Sequence, residues 1–160
     1  MDGSTAATVC SVGLVLVVLV LTGPLVGAVG VDGEGSDLGD GTATVGSVQT
    51  VDEFAMTPGR FGTGVLYLRI PDVRAEFESV TGRSRLVYRV AVPALGFDRV
   101  GTRQVGPDTG SVTVGMSDRA FAPRTIDRQT YAVTATVRIQ SFTVDRTVLQ
   151  RNTTVEATDG

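Results

Sequence analysis

The sequence of 160 residues has no histidine, no lysine and no tryptophan, and only one cysteine, Cys10. Each absence closes a chemistry. Without an imidazole there is no Ser-His or Cys-His nucleophile pair and no histidine-ligated zinc or iron site. Without lysine there is no Schiff base, no Ser-Lys dyad and no phosphate-loop lysine. A lone cysteine forms no internal disulfide, so cysteine usage says nothing about the redox compartment. Cys10 also precedes the main apolar run rather than following it, the wrong order for a lipidated cysteine.

Charge is missing over a long stretch. No charged side chain occurs between Asp2 and Asp32. A helix over residues 6–31 would be about 39 Å long at 1.5 Å per residue, more than the ~30 Å of a hydrocarbon core. The segment therefore predicts an N-terminal hydrophobic helix in residues 1–31 that enters a membrane, either as an anchor or as a signal peptide. For cleavage speak the short dense run at residues 12–21, the helix-breaking Gly23-Pro24, and the small residues around Ala28. For retention speak the acidic n-region "MDGST", which lacks the usual basic residue, and an uncharged run long enough to span. The expectation is a single-pass protein of the cell membrane whose C-terminal domain lies outside; the alternative is a domain secreted after cleavage near Ala28. The outside orientation agrees with the sequon Asn152-Thr153-Thr154, which makes Asn152 a possible glycosylation site.

Residues 32–41 follow as an acidic, Gly-rich spacer, with Asp32, Glu34, Asp37 and Asp40 set among glycines. The alternation suggests a calcium loop, but Asp37 stands where such a loop needs its glycine and Ala43 where it needs the bidentate Glu. Beyond the spacer, residues 42–160 carry 12 acids and 14 arginines, interspersed, which gives no nucleic-acid footprint.

From residue 42 the apolar period is 2, not 3.6. In "YAVTATVRIQ", Tyr131, Val133, Ala135, Val137 and Ile139 face one way, with Thr134, Thr136, Arg138 and Gln140 opposite. "RLVYRVAV" sets Leu86, Tyr88, Val90 and Val92 inward, and "VLYLRI" does so with Leu66, Leu68 and Ile70. "DVRAEFES" offers Val73, Ala75 and Phe77, and "SVTVGM" offers Val112, Val114 and Met116. Weaker alternation occupies residues 44–51, 97–105 and 147–156. Turn signals intervene at Pro58-Gly59, Thr81-Gly82, Pro93 and "GPDTG" (106–110). No crossover helix is available for a parallel sheet. The pattern predicts an all-β domain over 42–160, an antiparallel β-sandwich of seven or eight strands.

"IDRQTYAV" (126–133) resembles the corner before the penultimate strand of immunoglobulin-like sandwiches, where an Asp stands four residues before a Tyr; Asp127 and Tyr131 match those positions. The resemblance implies that the Tyr131 hydroxyl ties the corner to nearby backbone. Val133 replaces the cysteine of antibody domains, and no core tryptophan exists. Separately, "PGRFGTGVLYLRIPDV" and "GRSRLVYRVAVPALGF" are similar to a group of small exported haloarchaeal proteins of unassigned function. The all-arginine, Asp-rich composition resembles that of salt-adapted archaea too. The likeness to the haloarchaeal group implies export, the composition speaks only to the source, and neither carries a mechanism.

Carboxylates are the remaining reactive groups. Glu76 and Glu78 share one strand face with Arg74, which reads as a solvated ion-pair face rather than an acid–base pair. Asp52-Glu53 reads as a charged loop. "GRFGTG", with Gly59, Gly62 and Gly64, precedes a strand instead of opening a helix, so no helix N-terminus faces an anion there. The sequence thus predicts no catalytic, cofactor or metal residues. It points to a non-catalytic envelope module that touches the lipid bilayer through its N-terminal segment and binds an envelope protein or glycan or supports surface structure. A pilin-like filament subunit with an N-terminal assembly helix is the alternative, although Asp2-Gly3 stands where the processing site needs a basic residue and Gly.

Overall fold

The computed structural model of the chain describes residues 38–60 and 62–157. By its contacts the chain divides into two units, Met1–Ser36 and Asp37–Gly160, and the described residues belong to the second. The expected N-terminal helix lies outside the described residues. Among these, no helix is long and apolar enough to cross a membrane.

The described residues are all-β, with ten strands, two single 3-10 turns and no α-helix. The strands are β1 (Thr42–Thr50), β2 (Ala55–Pro58), β3 (Leu66–Arg69), β4 (Val73–Thr81), β5 (Ser84–Val92), β6 (Phe97–Val105), β7 (Ser111–Val114), β8 (Arg119–Phe121), β9 (Thr130–Gln140) and β10 (Asp145–Glu156). They form three sheets, ordered β1-β4-β7, β10-β9-β5-β6 and β2-β3-β8. Every named strand pairing is antiparallel. The eight alternating stretches of the sequence each become a strand. β2 and β8 raise the count above the expected seven or eight. At four and three residues they are too short to show a period, and they become strands by flanking β3.

Alternation decides which side chains go inside. Leu86, Tyr88, Val90 and Val92 of β5 and Val137 and Ile139 of β9 are all fully buried. They share one hydrophobic cluster with Leu66, Leu68, Val73, Val114 and Val155 from the other strands. Phe77, expected in that core, is only partly covered. Its partner on β1 is Val45, and the register of β1 shifts on both sides of that residue. Such bulges turn a strand locally and loosen the packing opposite.

The turn signals do what their chemistry allows. Gly82 joins β4 to β5 with φ +64, and a Cβ there would meet the Gly41 backbone at 2.9 Å. A side chain would be strained at that φ and would also clash. Pro93 opens a 3-10 turn that closes when the Gly96 N–H donates to the Pro93 carbonyl at 3.0 Å. In "GPDTG" the Thr109 N–H donates to the Gly106 carbonyl at 2.9 Å, and the Thr109 hydroxyl accepts from the Gly106 N–H.

Register assigns the ends. Thr42 pairs with Thr81, Ser84 with Val105, and Gln140 with both Asp145 and Arg85. Residues 38–41 therefore lead into the same end that holds the β4–β5 turn, the 106–110 turn and the β9–β10 hairpin tip. The corner before β9 and the last residues of β10 occupy the far end, where Thr130 pairs with Glu156.

Val137 is fully buried in the central strand β9. Val137→Asp is expected to destabilise the domain by several kcal/mol, because it leaves an unpaired charge in the core. Urea unfolding followed by far-ultraviolet circular dichroism measures it, and a near-neutral result would contradict the assigned inward face.

Candidate functional site

The Tyr131 ring is 1% exposed, yet its hydroxyl has a complete set of partners. It accepts from the Asp127 N–H at 2.8 Å and the Arg128 N–H at 2.9 Å, and donates to Asp127 Oδ1 at 3.1 Å. The loop entering β9 is thereby pinned to the strand it precedes. Two backbone donors that would otherwise lack protein partners are satisfied by one side chain. These bonds tie the residues before β9 to the start of that strand.

The acidic candidates are spread out. Glu76 lies 3.7 Å from Arg74 and accepts from the Ser47 hydroxyl at 3.3 Å, with both charged side chains more than half exposed. Glu78 is exposed on the same strand. The "GRFGTG" stretch links β2 to β3: the Gly59 N–H donates to the Val65 carbonyl at 2.7 Å, and Gly62 and Gly64 take positive φ. Asp52 and Glu53 border a shallow recess of about 490 Å³ together with Arg69, Ile70, Pro71 and Asp118. Sequence reasoning missed Asp118, because the β3–β8 pairing that brings it to Arg69 has no local signature. One carboxylate oxygen of Asp118 accepts from the Ile70 N–H at 3.3 Å and the other lies 4.0 Å from Arg69 Nε, so the chain itself uses both. No group of three or more Cys, Asp and Glu among the described residues is placed to hold a metal.

The outer face of the four-stranded sheet carries many polar side chains. Read across β10, β9, β5 and β6, its rows are Asp145–Gln140–Arg85–Gln104, Thr147–Arg138–Val87–Thr102, Gln150–Thr136–Arg89–Val100 and Asn152–Thr134–Ala91–Asp98. Neighbouring strands bond across it. Arg138 donates to Asp145 at 2.6 Å, Arg85 donates to Gln140 at 3.0 Å, and Arg89 grips Asp98 with two N–H donors, Nε at 2.9 Å among them. Asn152 is exposed at one margin of this face, directly opposite Thr134.

No family model matches the chain, and no curated protein matches it.

The hydrogen bond from Arg89 holds the Asp98 carboxyl below its ordinary range, and the same bond raises Arg89. A carboxyl depressed in the folded state contributes stability above its unfolded value of about 4, and that contribution is lost as pH falls through the folded value. The pair is solvent-exposed, so its effect is small. Asp98→Asn is expected to flatten the loss of stability between about pH 5 and pH 2 slightly, as measured by urea unfolding across that range. For the corner, Tyr131→Phe should cost about 1–3 kcal/mol, since it strands two backbone donors. Asp127→Asn should cost less, because the hydroxyl still accepts from both N–H groups. Equal costs would assign the corner's hold to Asp127 instead.

Proposed function

We propose that this is a non-catalytic module of the cell envelope. Its N-terminal apolar segment tethers it to the membrane as a single-pass protein, and residues 42–160 lie outside. There the β domain binds a partner protein or glycan or supports surface structure. The observation that carries the reading is the polarity of the domain. The chain leading from the apolar segment joins one end, where the Gly41 N–H donates to the Arg83 carbonyl at 3.2 Å. β9, eleven residues and about 36 Å at 3.3 Å per residue, runs from the far end back to that one. A tether at one end leaves the far end and the polar outer sheet face free to meet a partner. The sequon fits this layout, because Asn152 lies on the half of β10 away from the tether.

The fold is read, within the same proposal, as an immunoglobulin-like sandwich. Supporting it are the orders β1-β4-β7 and β10-β9-β5-β6, which match strands A-B-E and G-F-C-C′ of that architecture. The hydrogen-bonded Tyr131 at the start of β9, the counterpart of strand F, supports it as well. Sheet β2-β3-β8 is then an addition to the basic plan. Such domains commonly act as binding or spacing modules, which is an argument by analogy of fold.

The test is the native N-terminus. The protein should partition with membranes, resist extraction by high salt, and yield by mass spectrometry a peptide from before Thr22 joined to the mature chain. Protease added to intact cells should digest the β domain. A mature start near Val29 would replace the anchored reading with a secreted one, and filaments lost on deleting the gene would replace it with a pilin-like subunit.

A further inference from the structure

Four large apolar side chains are exposed among the described residues, and Phe142, at 70%, is the most exposed of them. A single apolar side chain on a surface is ordinary. Two observations set Phe142 apart. First, its turn is built to hold it out. The Ser141 N–H donates to the Val144 carbonyl at 2.7 Å, and the Ser141 hydroxyl accepts from the N–H groups of Thr143 and Val144 at 3.3 and 3.0 Å. The ring is thus displayed by a closed, hydrogen-bonded hairpin tip. Second, the tip sits at the root of the tether, since the Phe142 N–H donates to the Gly39 carbonyl at 3.2 Å.

Sequence arithmetic then limits how far the ring can stray from a bilayer. Residues 32–38, seven in number, separate the end of the uncharged run from Gly39. Even fully extended they reach at most about 25 Å, at 3.3–3.6 Å per residue. A short tether keeps the local concentration of the interface at the tip high, so a weak apolar contact becomes populated. The other loops of this end carry Asp40, Arg83 and Asp108, charges of both signs, so no headgroup charge is selected and the ring itself makes the contact.

We infer that the β9–β10 hairpin tip is a membrane-contact point, at which the Phe142 ring enters the lipid interface beside the root of the tether. The inference rests on the anchored reading proposed above and deepens it: the domain is held by a covalent tether and a second, non-covalent foot. Two adjacent points of attachment would hold this end of the domain toward the bilayer.

The chain has no tryptophan, so Phe142→Trp introduces a single reporter at an exposed site. Val100→Trp, at a 54% exposed position on the outer face of β6, is the control. Each full-length variant, leader included, is reconstituted into phosphatidylcholine vesicles with or without lipids brominated near the top of the acyl chains. The expected result is that both variants float with the vesicles. The emission of the Phe142→Trp protein shifts to the blue and is quenched by brominated lipid severalfold more than that of the Val100→Trp protein. Flotation with equal quenching of the two would overturn the foot and leave the anchor standing. Failure to float would overturn the anchored reading and this inference with it. A blue shift that grows with protein concentration and ignores bromination would assign the ring to a second copy of the chain and overturn the lipid contact.

Discussion

The pairing of β5 with β9 is the constraint on which the other strands depend. Along seven register positions the two central strands present one face each to the interior, and none of their inward side chains from Leu86 to Val92 or from Tyr131 to Ile139 is more than 1% exposed. Slipping the register by one residue would carry Arg89 and Arg138 inward and the valines outward, so the burial itself enforces the pairing. Two of the inward residues are tyrosines, and each finds a partner for its polar end. The Tyr88 hydroxyl donates to the Pro71 carbonyl at 3.1 Å, and burial, with Asp72 nearby, pushes its phenol above the usual range so that it stays a neutral donor. Tyr131 anchors the corner in the same spirit.

Around that pair the remaining strands are held by their own antiparallel ladders, and side chains add links between the sheets. Arg146 of β10 donates to the Ala43 carbonyl at 3.3 Å and Arg151 to the Thr50 hydroxyl at 3.2 Å, so two guanidiniums bridge the edge of one sheet to the edge of another. β1 and β10 each carry register irregularities along those edges. Bulges and charged side chains are how sheet edges avoid pairing with other chains. β6, the opposite edge, carries Arg99 and Arg103 two residues either side of Gly101. An antiparallel copy centred on Gly101 would set arginine against arginine, which disfavours self-pairing at that edge. These features leave the faces and ends of the domain, rather than its edges, as surfaces for other molecules.

How much of the site was legible follows from range in sequence. The Asp127 and Tyr131 pair could be marked through its resemblance to the corner of immunoglobulin-like sandwiches, a pattern only eight residues long whose bonds are local. Glu76 beside Arg74 was visible because the two are neighbours on one strand face. The recess around Asp118 was not, since Arg69 and Asp118 are 49 positions apart and meet only through pairing on β3. Nor was the exposure of Phe142 legible: a phenylalanine between two β-runs reads equally as core. The hydrogen bonds of Ser141 and the backbone of Gly39 turn it outward.

By itself the sequence determined the class of secondary structure, the inward faces of β3, β5 and β9, the positions of the main turns and the chemistries closed by missing side chains. These are properties of period, of single-residue backbone preference and of functional groups, all of which are local. The tertiary structure decided how the strands divide among three sheets, that β2 and β8 become strands at all, and that the chain enters beside the β9–β10 hairpin. Strand order is set by contacts between residues dozens of positions apart, and short segments such as Arg119–Phe121 acquire strand geometry only from the neighbour they pair with.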